Sequence, residues 1–110
     1  MEGKSTHAKS RFTGRVAFIT GGAGDFGSKC AERFIEEGGS AAILDMAAEK
    51  LEEVAKKLNE KNPGKALAIP CDVTSEEAVA EAVKKTEDTF GVIHYLFNNA
   101  GYQGSFSKMD

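Results

Sequence analysis

Residues 20–27 read Thr20-Gly21-Gly22-Ala23-Gly24-Asp25-Phe26-Gly27, and within them Gly22, Gly24 and Gly27 form a G-x-G-x-x-G. Glycines at that spacing let a chain turn tightly, bring backbone N–H groups close to an anion and seat the following helix against the turn, which is the chemistry of a pyrophosphate cradle. Glycines also mark ordinary turns, so the motif carries weight only where a strand precedes it and a helix follows. Two carboxylates could serve the rest of a dinucleotide. Asp45 lies about 20 residues beyond the motif, where an acid ending a second strand accepts hydrogen bonds from a ribose diol. Asp72 either accepts from an adenine amino group or holds a turn ahead of Thr74. Asp25 is the odd residue, a carboxylate where phosphate is expected. It is read as capping free N–H groups at a helix start, which stabilises the empty domain and opposes the ligand.

The elements that must position these residues alternate along the chain. Val16–Ile19, Ala41–Leu44, Ala66–Ile69 and Val92–Phe97 are short apolar runs without polar alternation, as expected of parallel strands covered on both faces. Between them lie helical stripes. Phe26, Cys30, Ala31, Phe34 and Ile35 form the first, stopped by Gly38-Gly39; Ala47, Leu51, Val54, Ala55 and Leu58 form the second, ending before Pro63-Gly64. The third opens on Thr74-Ser75-Glu76-Glu77 as a capping box and turns Val79, Ala82, Val83, Thr86 and Phe90 inward. The order βαβαβαβ predicts an α/β, Rossmann-like parallel sheet with right-handed crossovers and strand order 3-2-1-4, one half of a doubly wound fold. Both glycine-bearing turns, 20–27 and 98–101, then fall at the carboxyl end of the sheet, where strand order reverses. His94 is read as a buried, hydrogen-bonded structural residue inside the fourth strand.

Bulk properties exclude other classes. The 110 residues are 41% hydrophobic, enough for one domain and too few for two. A formal net charge of -3 provides no general field for nucleic acid or an anionic membrane, so a small ligand is expected. Cys30 and Cys71 stand far apart without a metal-binding spacing, as structural thiols in a reducing compartment. No apolar run spans a membrane and residues 1–14 lack a signal-peptide core, so a cytoplasmic protein with a flexible leader over 1–14 and a dinucleotide-binding domain over 15–110 is expected. Met46, the neighbour of Asp45, is not a cation that would welcome a 2′-phosphate, and this favours NAD over NADP.

Taken in order, Thr20-Gly21 with its glycine turn, Asp45, Cys71-Asp72-Val73-Thr74 and Asn98-Asn99-Ala100-Gly101 resemble the short-chain dehydrogenase/reductase family. Ile43-Leu44-Asp45-Met46, CDVTSEEAV and LFNNAGYQGSF are similar to its NAD-dependent polyol and xylitol dehydrogenases. The resemblance implies Gly21, Ala23, Gly24, Phe26 and neighbouring Asp25 and Gly27 around the pyrophosphate, Asp45 and Met46 at the adenosine ribose, Asp72 and Val73 at adenine, and Asn99, Ala100 and Gly101 along the cofactor wall. It further implies hydride transfer between nicotinamide and an alcohol, polyol or ketone, and a possible homo-oligomer. The family pattern TGxxxGxG has glycine where this chain has Asp25. The family's catalytic Ser and Tyr-x-x-x-Lys are expected in a second half: here Tyr95 is followed four places on by Asn99 and Tyr102 by Phe106. Two other readings stay open, an S-adenosylmethionine-dependent methyltransferase, which also uses a glycine turn and strand-end acids, and a non-catalytic nucleotide-binding or interaction module.

Overall fold

The computed structural model describes residues 11–99. Its elements run β1 (Val16–Thr20), α1 (Asp25–Glu36), β2 (Ser40–Asp45), α2 (Ala48–Lys61), β3 (Ala66–Pro70), α3 (Glu76–Phe90) and β4 (Tyr95–Asn98). All three strand pairings are parallel and the order is β3-β2-β1-β4. This is the predicted half of a doubly wound α/β fold.

Strand pleating divides the core into two layers, because successive side chains point to opposite faces. Ala17, Ile19, Ala41 and Ile43 face Ala31, Phe34 and Ile35 of α1 and Leu51, Ala55 and Leu58 of α2. Phe18, Ala42 and Leu44 face Ala82 of α3, with Val79 and Val83 beside it. Helix ends follow the sequence signals. Gly38, at φ 98°, closes α1 by donating to the Ile35 carbonyl while Gly39 donates to that of Phe34. Asn59 near the end of α2 accepts from the N–H groups of Lys65 and Ala66 and donates to the Ala66 carbonyl, which fixes the turn into β3.

The structure departs from the sequence reading at several places in the frame, among them Ala47, which is exposed and precedes α2 instead of lying on its inward stripe. β4 is not fully covered: Tyr95 and Leu96 are exposed, because the strand pairs on one side only, with β1, and α1 reaches it only through Phe34, which meets Tyr95 and Phe97 edge-on. Phe26 is 75% exposed rather than part of the α1 stripe, since it sits in the first turn of the helix ahead of the packed face. The side-chain cap of α3 is Ser75, whose Oγ accepts from Ala78 N–H at 3.2 Å, so Thr74 is not the cap and the third helical position holds Ala78 rather than a reciprocating Glu. Residues 11–14, expected within the leader, form a turn packed on the domain. Phe12 stacks on Phe34 at 4.3 Å and donates its N–H to the Glu37 carbonyl, while Arg11 pairs with Glu37.

His94 precedes β4 instead of lying within it, and it is exposed rather than buried. Its structural role is nonetheless definite. Nδ1 accepts from the N–H of Val16 at 3.0 Å, and the backbone N–H of His94 donates to the Val16 carbonyl at 2.9 Å, so a side-chain rung and a backbone rung extend the β1–β4 ladder. Val16 is buried, so its N–H has no ready substitute acceptor. His94→Ala is expected to cost about 1–3 kcal/mol and lower the melting temperature by several degrees; an unchanged melting curve would show that the rung is dispensable.

Candidate functional site

The chain leaves β1 where its two neighbours diverge, β2 on one side and β4 on the other, so the turn after Thr20 opens onto the crevice at the carboxyl end of the sheet. Gly21 takes φ 71°, a left-handed conformation that glycine adopts without steric cost. The turn then feeds α1 through Gly24, whose extended backbone acts as the N-cap without any side-chain cap bond. Gly27 lies buried in the first turn of α1, and a Cβ there would run into the Gly21 carbonyl oxygen. Glycine at 27 is thus what lets the helix start press against the turn. The N–H groups of Asp25, Phe26 and Gly27 have no acceptor among the described residues, while Ser28 N–H already reaches Gly24. Three free donors at the positive end of a helix dipole are the arrangement that can hold an anion.

Asp25 does not cap this helix. It occupies the first helical position, is exposed, and its backbone carbonyl rather than its carboxylate meets Ser28 Oγ. Capping needs the extended backbone one residue earlier, and Gly24 holds that place. The expected exchange of affinity for a cap bond is therefore corrected: Asp25 acts on the helix end through its charge alone. Its backbone is not left-handed, so the turn tolerates a side chain where the family pattern has glycine.

A cleft of about 320 Å³ opens beside the turn, lined by Gly21, Gly24, Asp45, Met46, Cys71, Val73 and Asn99. Its size suits one nucleoside rather than a whole dinucleotide. Asp45 closes one side. Its Oδ2 accepts from Ala23 N–H at 3.0 Å and its Oδ1 from Ala47 N–H at 3.1 Å. A carboxylate has about four lone-pair sites, which leaves capacity for a ribose diol. Met46 is 70% exposed at the cleft edge and brings no charge. At the opposite side Thr20 ties β1 to β4: its hydroxyl donates to Asn98 Oδ1 at 2.9 Å and accepts from Asn99 N–H at 3.1 Å. Asn99 Nδ2 is buried with no partner among the described residues.

Asp72 is exposed and its Oδ1 is committed to the turn, accepting from Thr74 N–H at 2.9 Å and from the Thr74 hydroxyl at 2.6 Å. These two bonds, the hydroxyl's first, hold its carboxyl below the ordinary aspartate range. Because folding depresses this pKa, the turn's stabilisation is present above the ordinary aspartate range and is lost as pH falls through the depressed value. In Thr74→Val the Asp72 carboxyl should titrate at higher pH in an NMR titration, and an unmoved titration would contradict the assignment. Cys71 was legible only as a structural thiol, yet it lines the cleft because it follows β3 directly. Burial, and secondarily the charge of Asp72, pushes its thiol up, away from the reactive thiolate.

Of the predicted residues the cleft unites Gly21, Gly24, Asp45, Met46, Val73 and Asn99. Gly27 and Ala23 lie beneath the turn, Phe26 borders a separate groove with Phe12, Cys30 and Phe97, and Ala100 and Gly101 fall outside the described residues. Among the described residues no group of His, Cys, Asp and Glu could hold a metal ion, and no helix is long and apolar enough to cross a membrane.

Residues 15–110 match the short chain dehydrogenase family model. The chain belongs to the short-chain dehydrogenase family. An uncharacterized oxidoreductase, YxjF of Bacillus subtilis (strain 168), is 42% identical over 89 residues, covering 81% of this chain and 34% of that protein. The crystal structure of NAD+-bound xylitol dehydrogenase superposes with a TM-score of 0.79 at 47% identity, covering 86% of this chain and 36% of the other. The NADP-bound C-domain of a bacterial malonyl-CoA reductase superposes with a TM-score of 0.82 at 26% identity, covering 92% and 17%. The short-chain dehydrogenase chain described here spans about a third of the length of several curated relatives. It corresponds to the N-terminal, nicotinamide-cofactor-binding portion of the family's fold. The free N–H groups at 25–27, the close approach at Gly27 and the unpartnered Asn99 amide all fit such a cofactor.

Proposed function

We propose that this chain is the NAD-binding portion of an oxidoreductase that moves hydride between nicotinamide and an alcohol, polyol or ketone. The observation that carries this reading is the placement of a carboxylate, Asp45, and a neutral Met46 in one cleft with the glycine turn. In this reading the N–H groups of Asp25, Phe26 and Gly27 hold the pyrophosphate. The spare lone pairs of Asp45 accept from the 2′- and 3′-hydroxyls of the adenosine ribose, where a 2′-phosphate would meet like charge. Cys71 and Val73 flank the adenine, Asp72 offers Oδ2 at its edge, and Asn99 stands on the side toward nicotinamide. Bound NAD supplies the hydride acceptor, and the chain's own part is to hold and orient it.

Similarity to the NAD+-bound xylitol dehydrogenase supports a polyol as substrate class. Proton transfer to or from the substrate oxygen needs a positioned acid–base group. Tyr95 is the described tyrosine, and it stacks with Phe97 on the sheet, away from the cleft. The 110-residue polypeptide is therefore expected to form no NADH from xylitol or other polyols; formation above a mock preparation would refute this. Parallel calorimetric titrations with NAD and S-adenosylmethionine test the binding function. NAD alone should give heat, and a preference for S-adenosylmethionine would overturn the proposal in favour of methyl transfer.

A further inference from the structure

The Asp45 carboxylate is already occupied before any ribose arrives, and what occupies it is the phosphate-binding turn. Ala23 is buried at 4% exposure, and its N–H donates to Asp45 Oδ2 at 3.0 Å. One residue earlier, Gly22 N–H donates to the Leu44 carbonyl at 2.9 Å. Two consecutive rungs thus hang the turn on the end of β2, one on backbone and one on the Asp45 side chain. The second oxygen, Oδ1, is braced by Ala47 N–H, which fixes the carboxylate's orientation toward Ala23. Below the turn, Cys71 N–H donates to the Asp45 carbonyl at 3.0 Å, so the residue that holds the turn is itself tied to the strand-end of β3. Gly24 N–H folds back on the Gly21 carbonyl at 3.2 Å, and the next three donors, those of Asp25, Phe26 and Gly27, are the free ones.

We infer that Asp45 is a positioning residue for the phosphate-binding turn, holding the free N–H groups of Asp25 to Gly27 in register through Ala23, in addition to any contact with ribose. The inference rests on the proposed nucleotide-binding reading and deepens it. Removing the carboxylate strands the buried Ala23 N–H, and the turn must shift to find water or another acceptor. The pyrophosphate donors then lose their arrangement even when the ligand has no hydroxyl for Asp45 to meet. Electrostatics alone predicts the opposite sign, because deleting a negative charge near an anionic ligand tightens binding. The sign of the effect on a ligand lacking the diol is therefore decisive.

The experiment titrates ADP and 2′,3′-dideoxy-ADP into the 110-residue wild-type chain and into Asp45→Ala and Asp45→Asn, and follows backbone amide hydrogen exchange without ligand. Asp45→Ala should weaken 2′,3′-dideoxy-ADP by about tenfold or more and ADP by a larger factor. Asp45→Asn, which keeps one acceptor oxygen, should fall between. Ala23 should exchange at least about tenfold faster in Asp45→Ala while Phe18 and Ile43 in the sheet keep their protection, which separates a loosened turn from an unfolded domain. If 2′,3′-dideoxy-ADP binds Asp45→Ala as well as or better than wild type while ADP weakens, Asp45 serves ribose only and the positioning role is overturned, with the nucleotide-binding reading intact. If wild type binds neither nucleotide, that reading fails and takes the positioning role with it.

Discussion

Gly27→Ala is expected to abolish measurable cofactor binding and to destabilise the domain by about 1–3 kcal/mol, the usual range for forcing a methyl into a packed site. The added carbon would meet the Gly21 carbonyl oxygen and the Gly22 backbone, neither of which can swing aside like a side-chain tip. Relief requires α1 to move off the turn, and that motion displaces the N–H groups of Asp25 to Gly27 together. Gly24 is the internal control. A Cβ there comes no closer than 3.6 Å to the Gly21 carbonyl oxygen, and its φ of -82° suits any residue. Gly24→Ser places a hydroxyl at the N-cap, where it is expected to be neutral or stabilising by up to about 1 kcal/mol. Two glycines of one motif thus differ sharply in what they do. Equal melting temperatures for Gly27→Ala and wild type would mean that the helix start is not pressed against the turn.

Cofactor choice should follow the charge at the end of β2. NAD is expected to bind at least about tenfold more tightly than NADP, since a hydrogen bond to a charged acceptor contributes about 1.5–3 kcal/mol and a 2′-phosphate converts that contact into repulsion. Met46→Arg alone should narrow the gap by giving a 2′-phosphate a partner at an exposed position. Asp45→Ala with Met46→Arg should close or reverse it, at a cost in affinity for both cofactors because the turn loses its side-chain anchor. Titrations of wild type showing a preference for NADP would refute this assignment of Asp45.

The frame of the molecule was legible because its signals are local. Val16–Ile19, Ala41–Leu44 and Ala66–Ile69 are continuous apolar runs, and each becomes a strand extended by no more than a residue or so at its ends. Gly38 ends its helix through a conformation that glycine adopts freely, so the stop was readable from residue type. The places that departed depend on neighbours that no short stretch of sequence encodes. Val92 to His94 have strand composition, yet strand pairing with β1 begins only at Tyr95, because His94 spends its side chain on the Val16 N–H. Phe26 fits the helical period of α1 but precedes the part of the helix that meets the sheet. Within the site, glycine spacing pointed to Gly24 and the strand-end acid to Asp45, while Gly21 and Asn99 came from the family resemblance. The occupancy of the Asp45 oxygens by Ala23 and Ala47 was invisible, since backbone donors carry no signature in residue type. The capping role read for Asp25 failed by one position, which separates an extended cap from the first helical residue.

The most direct test is an amide chemical-shift map of the 110-residue chain titrated with NAD. Shifts should concentrate on Asp25 to Gly27 at the start of α1, on Asp45 and Met46, on Cys71 to Val73 and on Asn99, while the outer face of α2 stays unmoved. Saturable shifts at those four segments are the predicted result. Addition of NAD to millimolar concentration with no shift at Asp25 to Gly27, or with shifts confined to residues outside the cleft, would contradict a nicotinamide dinucleotide site at this turn.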